Sequence, residues 1–257
     1  GIERGDLVLQ RVGACTGIIL FLLPWLPPAR KAPAAVVSLD NCNGCMRCFE
    51  DCPFSAITMV PRSDDKQYDS EAAVNIDNCV SCGLCVGSCP TATPFRRASA
   101  IVPGIELPGH PISELREKTL AASQSFVKGR RILVYACEHC GADSLKGDST
   151  AVITMPCVAM LPPAFIDFAL SRNLADGVAI SGCAEGDCFY RLGGDWMRDR
   201  INGRRDPYLR RRVDRERVRF WQGRAPAQGQ KRAALEEFST ALQALPKNRS
   251  AGRSADE

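Results

Sequence analysis

Fourteen cysteines against two histidines mean that any dense metal chemistry in this 257-residue chain is built from sulfur. Eight of the cysteines fall into two runs of one spacing, Cys42-x2-Cys45-x2-Cys48-x3-Cys52-Pro53 and Cys79-x2-Cys82-x2-Cys85-x3-Cys89-Pro90. Three thiolates at two-residue gaps can wrap three corners of an iron–sulfur cubane on one tight loop. A fourth, followed by proline, leaves that loop to reach the other cluster. The spacing predicts one [4Fe–4S] cluster on Cys42, Cys45, Cys48 and Cys89, and a second on Cys79, Cys82, Cys85 and Cys52. Zinc in a four-cysteine site wants CxxC pairs separated by a longer loop, which these runs lack. Gly44 and Gly83 suit a backbone that must bring N–H groups close to cluster sulfides.

The two runs belong to a duplication. Leu39-Asp40-Asn41-Cys42 and Ile76-Asp77-Asn78-Cys79 are offset by 37 residues, with every following cysteine in step. The segment between the halves, residues 61–71, is polar and charged, as a surface connection should be. Over about 60 residues, 36–95, the chain resembles bacterial-type two-cluster ferredoxins. That resemblance implies their α+β ferredoxin-like fold, in the order βαββαβ.

Five more cysteines sit farther on, and the elements around them explain how they could meet. Apolar runs at Ile132-Leu133-Val134-Tyr135-Ala136, Ala151-Val152-Ile153-Thr154-Met155 and Gly177-Val178-Ala179-Ile180 read as strands. A helix opened by Pro162-Pro163 presents Phe165, Ile166, Phe168, Ala169 and Leu170 to them. This βαβαβ pattern predicts a small α/β domain with a parallel sheet. Cys137 and Cys140 follow the first strand, Cys157 the second, and Cys183 and Cys188 the third. All would lie at the carboxyl edge, where open α/β sheets place their sites. Four of the five could hold a [2Fe–2S] cluster, the fifth being spare. A structural zinc or a set of buried thiols is the plainer alternative. A Rieske-type site would need two histidines on one iron, and only His139 lies among these cysteines, with His110 in a proline-rich bridge. Glu185 and Asp187 flank the Cys183–Cys188 loop. They could lower a cluster's potential by charge, though turn chemistry explains them equally well.

Met155-Pro156-Cys157, residues 165–170, Ala175-Asp176-Gly177-Val178 and Gly182-Cys183-Ala184-Glu185-Gly186-Asp187-Cys188-Phe189-Tyr190 together resemble the delta subunit of methyl-viologen-reducing hydrogenase. The similarity runs from about 131 to 245 and takes in Arg217-Val218-Arg219, Trp221 and a final amphipathic helix. It implies a [2Fe–2S] module that passes electrons between a hydrogenase or dehydrogenase and a heterodisulfide-reductase-like flavoprotein.

The remaining segments frame these sites. Residues 12–29 are uncharged and apolar, bounded by Arg11 and by Arg30-Lys31, but Pro24, Pro27 and Pro28 break the run. It can enter a membrane only as a short or kinked crossing, with Trp25 at the interface, or else pack as a buried segment. Residues 19–26 resemble the last hydrophobic segment of b-type cytochromes of the quinol-oxidising class, which implies haem-binding helices upstream. The opening Gly suits a processed chain or a piece of a longer one. Cys15 reads as a small buried hydrophobe. The organisation expected is a hydrophobic segment to 35, a ferredoxin domain 36–98, a linker and helix 99–130, an α/β domain 131–222, and a C-terminal helix and tail 223–257. The linker helix is expected over 113–126 and the last helix over 231–245, with the final dozen residues disordered. Ten arginines between 198 and 219 read as a docking face or as the solvated side of a helix that turns Leu209, Val213 and Phe220 inward.

Charge is bipolar: residues 36–95 carry 3 basic and 8 acidic side chains, and residues 191–257 carry 17 and 9. That suits docking to charged proteins better than wrapping a nucleic acid. There is no GxGxxG after a strand and no P-loop, so no nucleotide or flavin site is expected. The leading expectation is an electron relay without a substrate pocket of its own, with a membrane quinone or cytochrome b as one candidate terminus. A thiol–disulfide oxidoreductase using Cys183/Cys188 or Cys137/Cys140 is the enzyme alternative, and a zinc-stabilised scaffold the non-redox one. Iron–sulfur chemistry places the chain in the cytoplasm, at the inner-membrane face if residues 12–29 enter the bilayer.

Overall fold

Two short helices, Arg47–Glu50 (α1) and Leu84–Ser88 (α2), carry the middle of each cysteine run, and antiparallel ribbons flank them. The structure is a computed structural model and is described for residues 32–64, 67–95, 102–223 and 228–248. Residues Pro33–Glu257 make up one compact unit. In its first part Val36–Val37 (β1) pairs with Ile105–Glu106 (β4), and Ile57–Pro61 (β2) pairs with Ser70–Val74 (β3). The element order is thus β1-α1-β2-β3-α2-β4, with the strands in two separate two-stranded sheets.

Helix α3 (Ile112–Gln124) leads into the second part, a four-stranded all-parallel sheet. Its strands are Ile132–Cys137 (β5), Thr150–Met155 (β6), Gly177–Gly182 (β7) and Val218–Gln222 (β8), in the order β6-β5-β7-β8. Every residue of the two central strands, β5 and β7, is buried, which is why both read as continuous apolar runs rather than alternating ones. Helices cover both faces. Thr119 of α3 hydrogen-bonds the Tyr135 hydroxyl at 2.9 Å. Helix α6 (Gln228–Ala244) instead sets Phe238 and Leu242 against Gly177, the register partner of Ile132. Residues 132 and 135 point to opposite faces of a strand, so α3 and α6 lie on opposite faces. Helix α4 (Ala164–Ser171) begins directly after Pro163 and packs on β7.

Three expectations change. No α-helix joins β5 to β6; two short 3-10 turns, Glu138–Cys140 and Ala142–Leu145, make the crossing. The arginine-rich stretch is not one helix: after α5 (Gly193–Ile201) the chain runs irregularly into β8, so Phe220 lies on a strand. Nor is that stretch a uniformly solvated face, because Arg200 and Arg217 are buried, while Arg210 and Arg212 converge on the buried carboxylate of Asp167. No helix among the described residues is long and apolar enough to cross a membrane. Residues 12–29, Cys15 and the C-terminal tail beyond 248 lie outside the described residues.

Asp176, just before β7, receives hydrogen bonds from the Arg131 backbone N–H at 3.0 Å and from its guanidinium at 3.2 Å. These fasten the starts of β5 and β7. Burial works against the charged carboxylate, but the Arg131 contacts outweigh it and hold Asp176 below the usual carboxylate range. A depressed folded-state pKa gives stability that is present above the unfolded value, near 4, and lost as the pH falls through the folded one. Asp176→Asn should therefore flatten the acid limb of the stability–pH curve below about pH 4, measured by urea unfolding. An unchanged acid limb would contradict this role.

Candidate iron–sulfur sites

The duplicated runs fold onto duplicated backbone. Within each cysteine run two residues take left-handed φ: Gly44 (64°) and Met46 (64°) in the first, Ser81 (59°) and Gly83 (75°) in the second. Gly44 and Gly83 therefore occupy different positions of the repeat, and a bulkier residue takes the strained φ at the partner position. Ser81 is anchored there by its hydroxyl, which donates to the Pro33 carbonyl at 2.8 Å. Gly44 is required for space as well, since a Cβ would lie 2.4 Å from the Ser70 carbonyl oxygen. Sequence reasoning also missed Arg62. It donates to the carbonyls of Leu39 at 2.6 Å and Cys42 at 2.7 Å, pinning the first loop to the end of β2.

Each run rings a cavity together with one cysteine from the other run. Cys42, Cys45, Cys48 and Cys89 line a space of about 310 Å³ with Met59, Ala72 and Ile105. Cys52, Cys79, Cys82 and Cys85 line one of about 360 Å³ with Phe54, Val74 and Leu107. Backbone N–H groups point at the sulfurs, from Arg47 to Cys45, Leu84 to Cys82 and, at 3.4 Å, Ala56 to Cys52. Burial pushes the Cys48 thiol up to about 12, helped by repulsion from Cys89, Cys45 and Cys42. Burial likewise takes Cys82 to about 11 and Cys85 well above its ordinary value. Four sulfurs crowded in an apolar hollow cannot ionise together unless positive charge sits between them, which is what an iron–sulfur core supplies. The donor set and the hollow fit such a group. Among the described residues no three metal-ligating side chains converge tightly enough for a single ion.

The third set gathers at the carboxyl edge of the parallel sheet, at the switch point where the chain passes from β6 across β5 to β7. Cys137 ends β5, Cys157 follows β6, and Cys183 follows β7. The Cys137 and Cys183 sulfurs lie 3.6 Å apart. Cys183 also hydrogen-bonds Cys188, and Cys188 in turn hydrogen-bonds Cys157. These shared hydrogen bonds hold the Cys157 and Cys183 thiols above their ordinary value and the Cys137 and Cys188 thiols below it. Four sulfurs are thus joined in one chain, with backbone N–H groups of Ala159, Phe189, Tyr190 and Gly194 aimed at them. Cys140 is fully buried but stands apart, its thiol on the Ser181 carbonyl at 3.2 Å and the Ser181 hydroxyl at 3.4 Å. The buried ammonium of Lys231 on α6 holds the Cys140 carbonyl and fixes this turn.

His139 stacks on Phe189 at 3.9 Å and faces Glu138, and His110 lines a separate cleft with Glu114 and Lys118. Glu185 pairs with Arg198 at the surface, and Asp187 lies in a turn whose backbone N–H reaches the Ala184 carbonyl. Gly193, at the start of α5, was not legible as a site residue. A Cβ there would lie 2.1 Å from the Cys157 sulfur and 3.5 Å from that of Cys188. Gly193→Ala should therefore displace Cys157 and cost about 1–3 kcal/mol in thermal unfolding. An unchanged midpoint would refute this close approach.

Residues 132–246 match the family model for the methyl-viologen-reducing hydrogenase delta subunit, and residues 41–93 match that for the 4Fe-4S dicluster domain. The chain joins a dicluster ferredoxin domain to a hydrogenase delta-subunit domain. The delta-subunit match contains all five cysteines of the sheet edge, and the dicluster match contains both runs. An iron–sulfur electron-transfer role follows from the pair. No curated protein matches the chain. Residues 19–26 lie outside both matched spans and outside the described residues, so the cytochrome resemblance gains no support.

Proposed function

We propose that the chain is an electron-relay subunit with two [4Fe–4S] clusters and one [2Fe–2S] cluster, and no substrate site of its own. One cluster is held by Cys42, Cys45, Cys48 and Cys89, the second by Cys52, Cys79, Cys82 and Cys85. Cys137, Cys157, Cys183 and Cys188 hold the third, and Cys140 is the spare thiol. The observation that carries this reading is the grouping of three cysteines from one run and one from the other around each of two apolar hollows. When bound, iron–sulfur clusters supply reversible one-electron transfer. The chain's part is to supply thiolates, aim backbone N–H groups at the sulfurs, and keep water out. The delta-subunit family supports partners that are themselves redox subunits; the proposed ones are a hydrogenase, a dehydrogenase or a heterodisulfide-reductase-like flavoprotein on one side and another redox partner, such as a membrane quinone or a b-type cytochrome, on the other. A cytoplasmic setting, with its reduced thiol pool, suits these sites.

The test is anaerobic iron and acid-labile sulfide analysis of the full chain with EPR. About ten irons per chain are expected from two four-iron cores and one two-iron core. Zinc in the third site would make the second domain a scaffold. A metal-free second domain that forms disulfides would favour the thiol–disulfide enzyme, although Cys140 faces Ser181 and Cys137 faces Cys183. Cys52→Ser should damage the cluster whose other ligands are Cys79, Cys82 and Cys85. Loss confined to the first-run cluster would show the cross-ligation to be wrong.

A further inference from the structure

Three thiol sets leave open the order in which electrons visit them, and the contact between the two domains bears on it. Cys82 and Leu84 of the second run share one buried cluster with Cys157 and Ala159 of the delta-subunit domain, and Phe54, Tyr190 and Trp196 pack against it. At two glycines the contact leaves no room for a side chain. A Cβ on Gly87 would lie 1.8 Å from the Ala159 carbonyl oxygen, and one on Gly83 would lie 2.7 Å from the Met160 side chain. The hollow ringed by the first run is lined by residues between Cys42 and Ile105 alone, none from the delta-subunit domain.

One buried cation spans the junction. Arg200 of α5 is fully buried and donates to the Ala159 carbonyl at 2.6 Å, to the Leu84 carbonyl at 3.4 Å, and to the Asp51 carboxylate. Each partner adjoins a cysteine: Asp51 precedes Cys52, Leu84 precedes Cys85, and Ala159 lies two residues after Cys157. Trp196, on the same helix, donates to the Asp51 carbonyl at 3.2 Å, and Arg191 donates to that of Pro53 at 2.8 Å. The geometry points to Cys82 and Cys157 as the crossing between the domains, so that the second-run centre is the immediate neighbour of the delta-subunit centre and the first-run centre is the far terminus.

This rests on the relay reading and adds an order to it. Electron tunnelling falls exponentially with the gap between centres, so the shared buried cluster sets the path. In the step, one electron leaves the second-run iron–sulfur centre, which is oxidised by one, and reduces the delta-subunit centre by one. The reverse step balances equally, and no bond or proton changes hands. Arg200 is a positioning residue that holds the gap.

The full chain, reconstituted anaerobically with iron and sulfide and reduced with dithionite, gives the test by EPR. The delta-subunit signal is expected to be broadened by the spin of a reduced neighbour. Cys45→Ala, which strips the first-run centre, should leave that broadening in place. Cys79→Ala should remove it while the delta-subunit iron remains, and Cys52→Ala, in the same set, serves if Cys79→Ala does not fold. Broadening lost with Cys45→Ala and kept with the second-run variants would overturn the order. A wild-type chain with no delta-subunit iron would instead sink the relay reading itself.

Discussion

Cys157→Ser, Cys183→Ser and Cys188→Ser should each remove the delta-subunit centre, about two irons per chain with its EPR signal, while Cys140→Ser leaves both. The five cysteines look alike in sequence, and their environments separate them. Cys137, Cys157, Cys183 and Cys188 are joined sulfur to sulfur, and each also receives a backbone N–H. Cys140 spends its thiol on Ser181, and its carbonyl is held by Lys231. Turning that thiol toward the others would break its contacts to the Ser181 carbonyl and hydroxyl. Serine can keep the hydrogen bond to the Ser181 carbonyl, so Cys140→Ser is nearly silent. Loss of two irons in Cys140→Ser, with retention in Cys157→Ser, would reverse the assignment.

Asp51→Ala should lower the unfolding midpoint by about 10 °C. Asp51 and Arg200 are both almost fully buried, and one Arg200 nitrogen, Nε, already has no hydrogen-bond partner. Burial opposes the Arg200 charge, and Asp51 is what offsets it. Removing one partner of a buried ion pair costs about 3–5 kcal/mol because the other charge is left uncompensated. In a chain of this size each kcal/mol moves the midpoint by about 2–4 °C. Arg205 also reaches Asp51, at 2.6 Å, but its side chain is a quarter exposed and lies over the Trp196 ring. Arg205→Gln should therefore cost about 1 kcal/mol or less. Calorimetry on the three proteins decides: equal, small shifts for both variants would show that the buried pair does not hold the domains together.

Much of the chemistry was legible because it depends on local spacing. A C-x2-C-x2-C-x3-C-P run carries its loop geometry within a dozen residues, and the continuous apolar runs 132–136 and 177–180 read as central strands. Local signals also misled. Leu209, Val213 and Phe220 imitate helical periodicity, and the first two are buried, yet Phe220 lies on β8, an edge strand of the parallel sheet. Gly44 and Gly83 looked equivalent because both are glycine near a cysteine. The backbone shows two left-handed positions per cysteine run, with glycine at a different one in each.

By itself the sequence determined the sulfur chemistry, the duplication, the parallel sheet and the edge at which its cysteines collect, because each follows from spacing along one stretch of chain. Only the tertiary structure decided which four of the five thiols meet, that Gly193 must lack a side chain, and that Arg200 closes on Asp51. The last pair is separated by 149 residues. Such contacts are set by the packing of one domain on the other, and nothing in the local pattern of either segment records it.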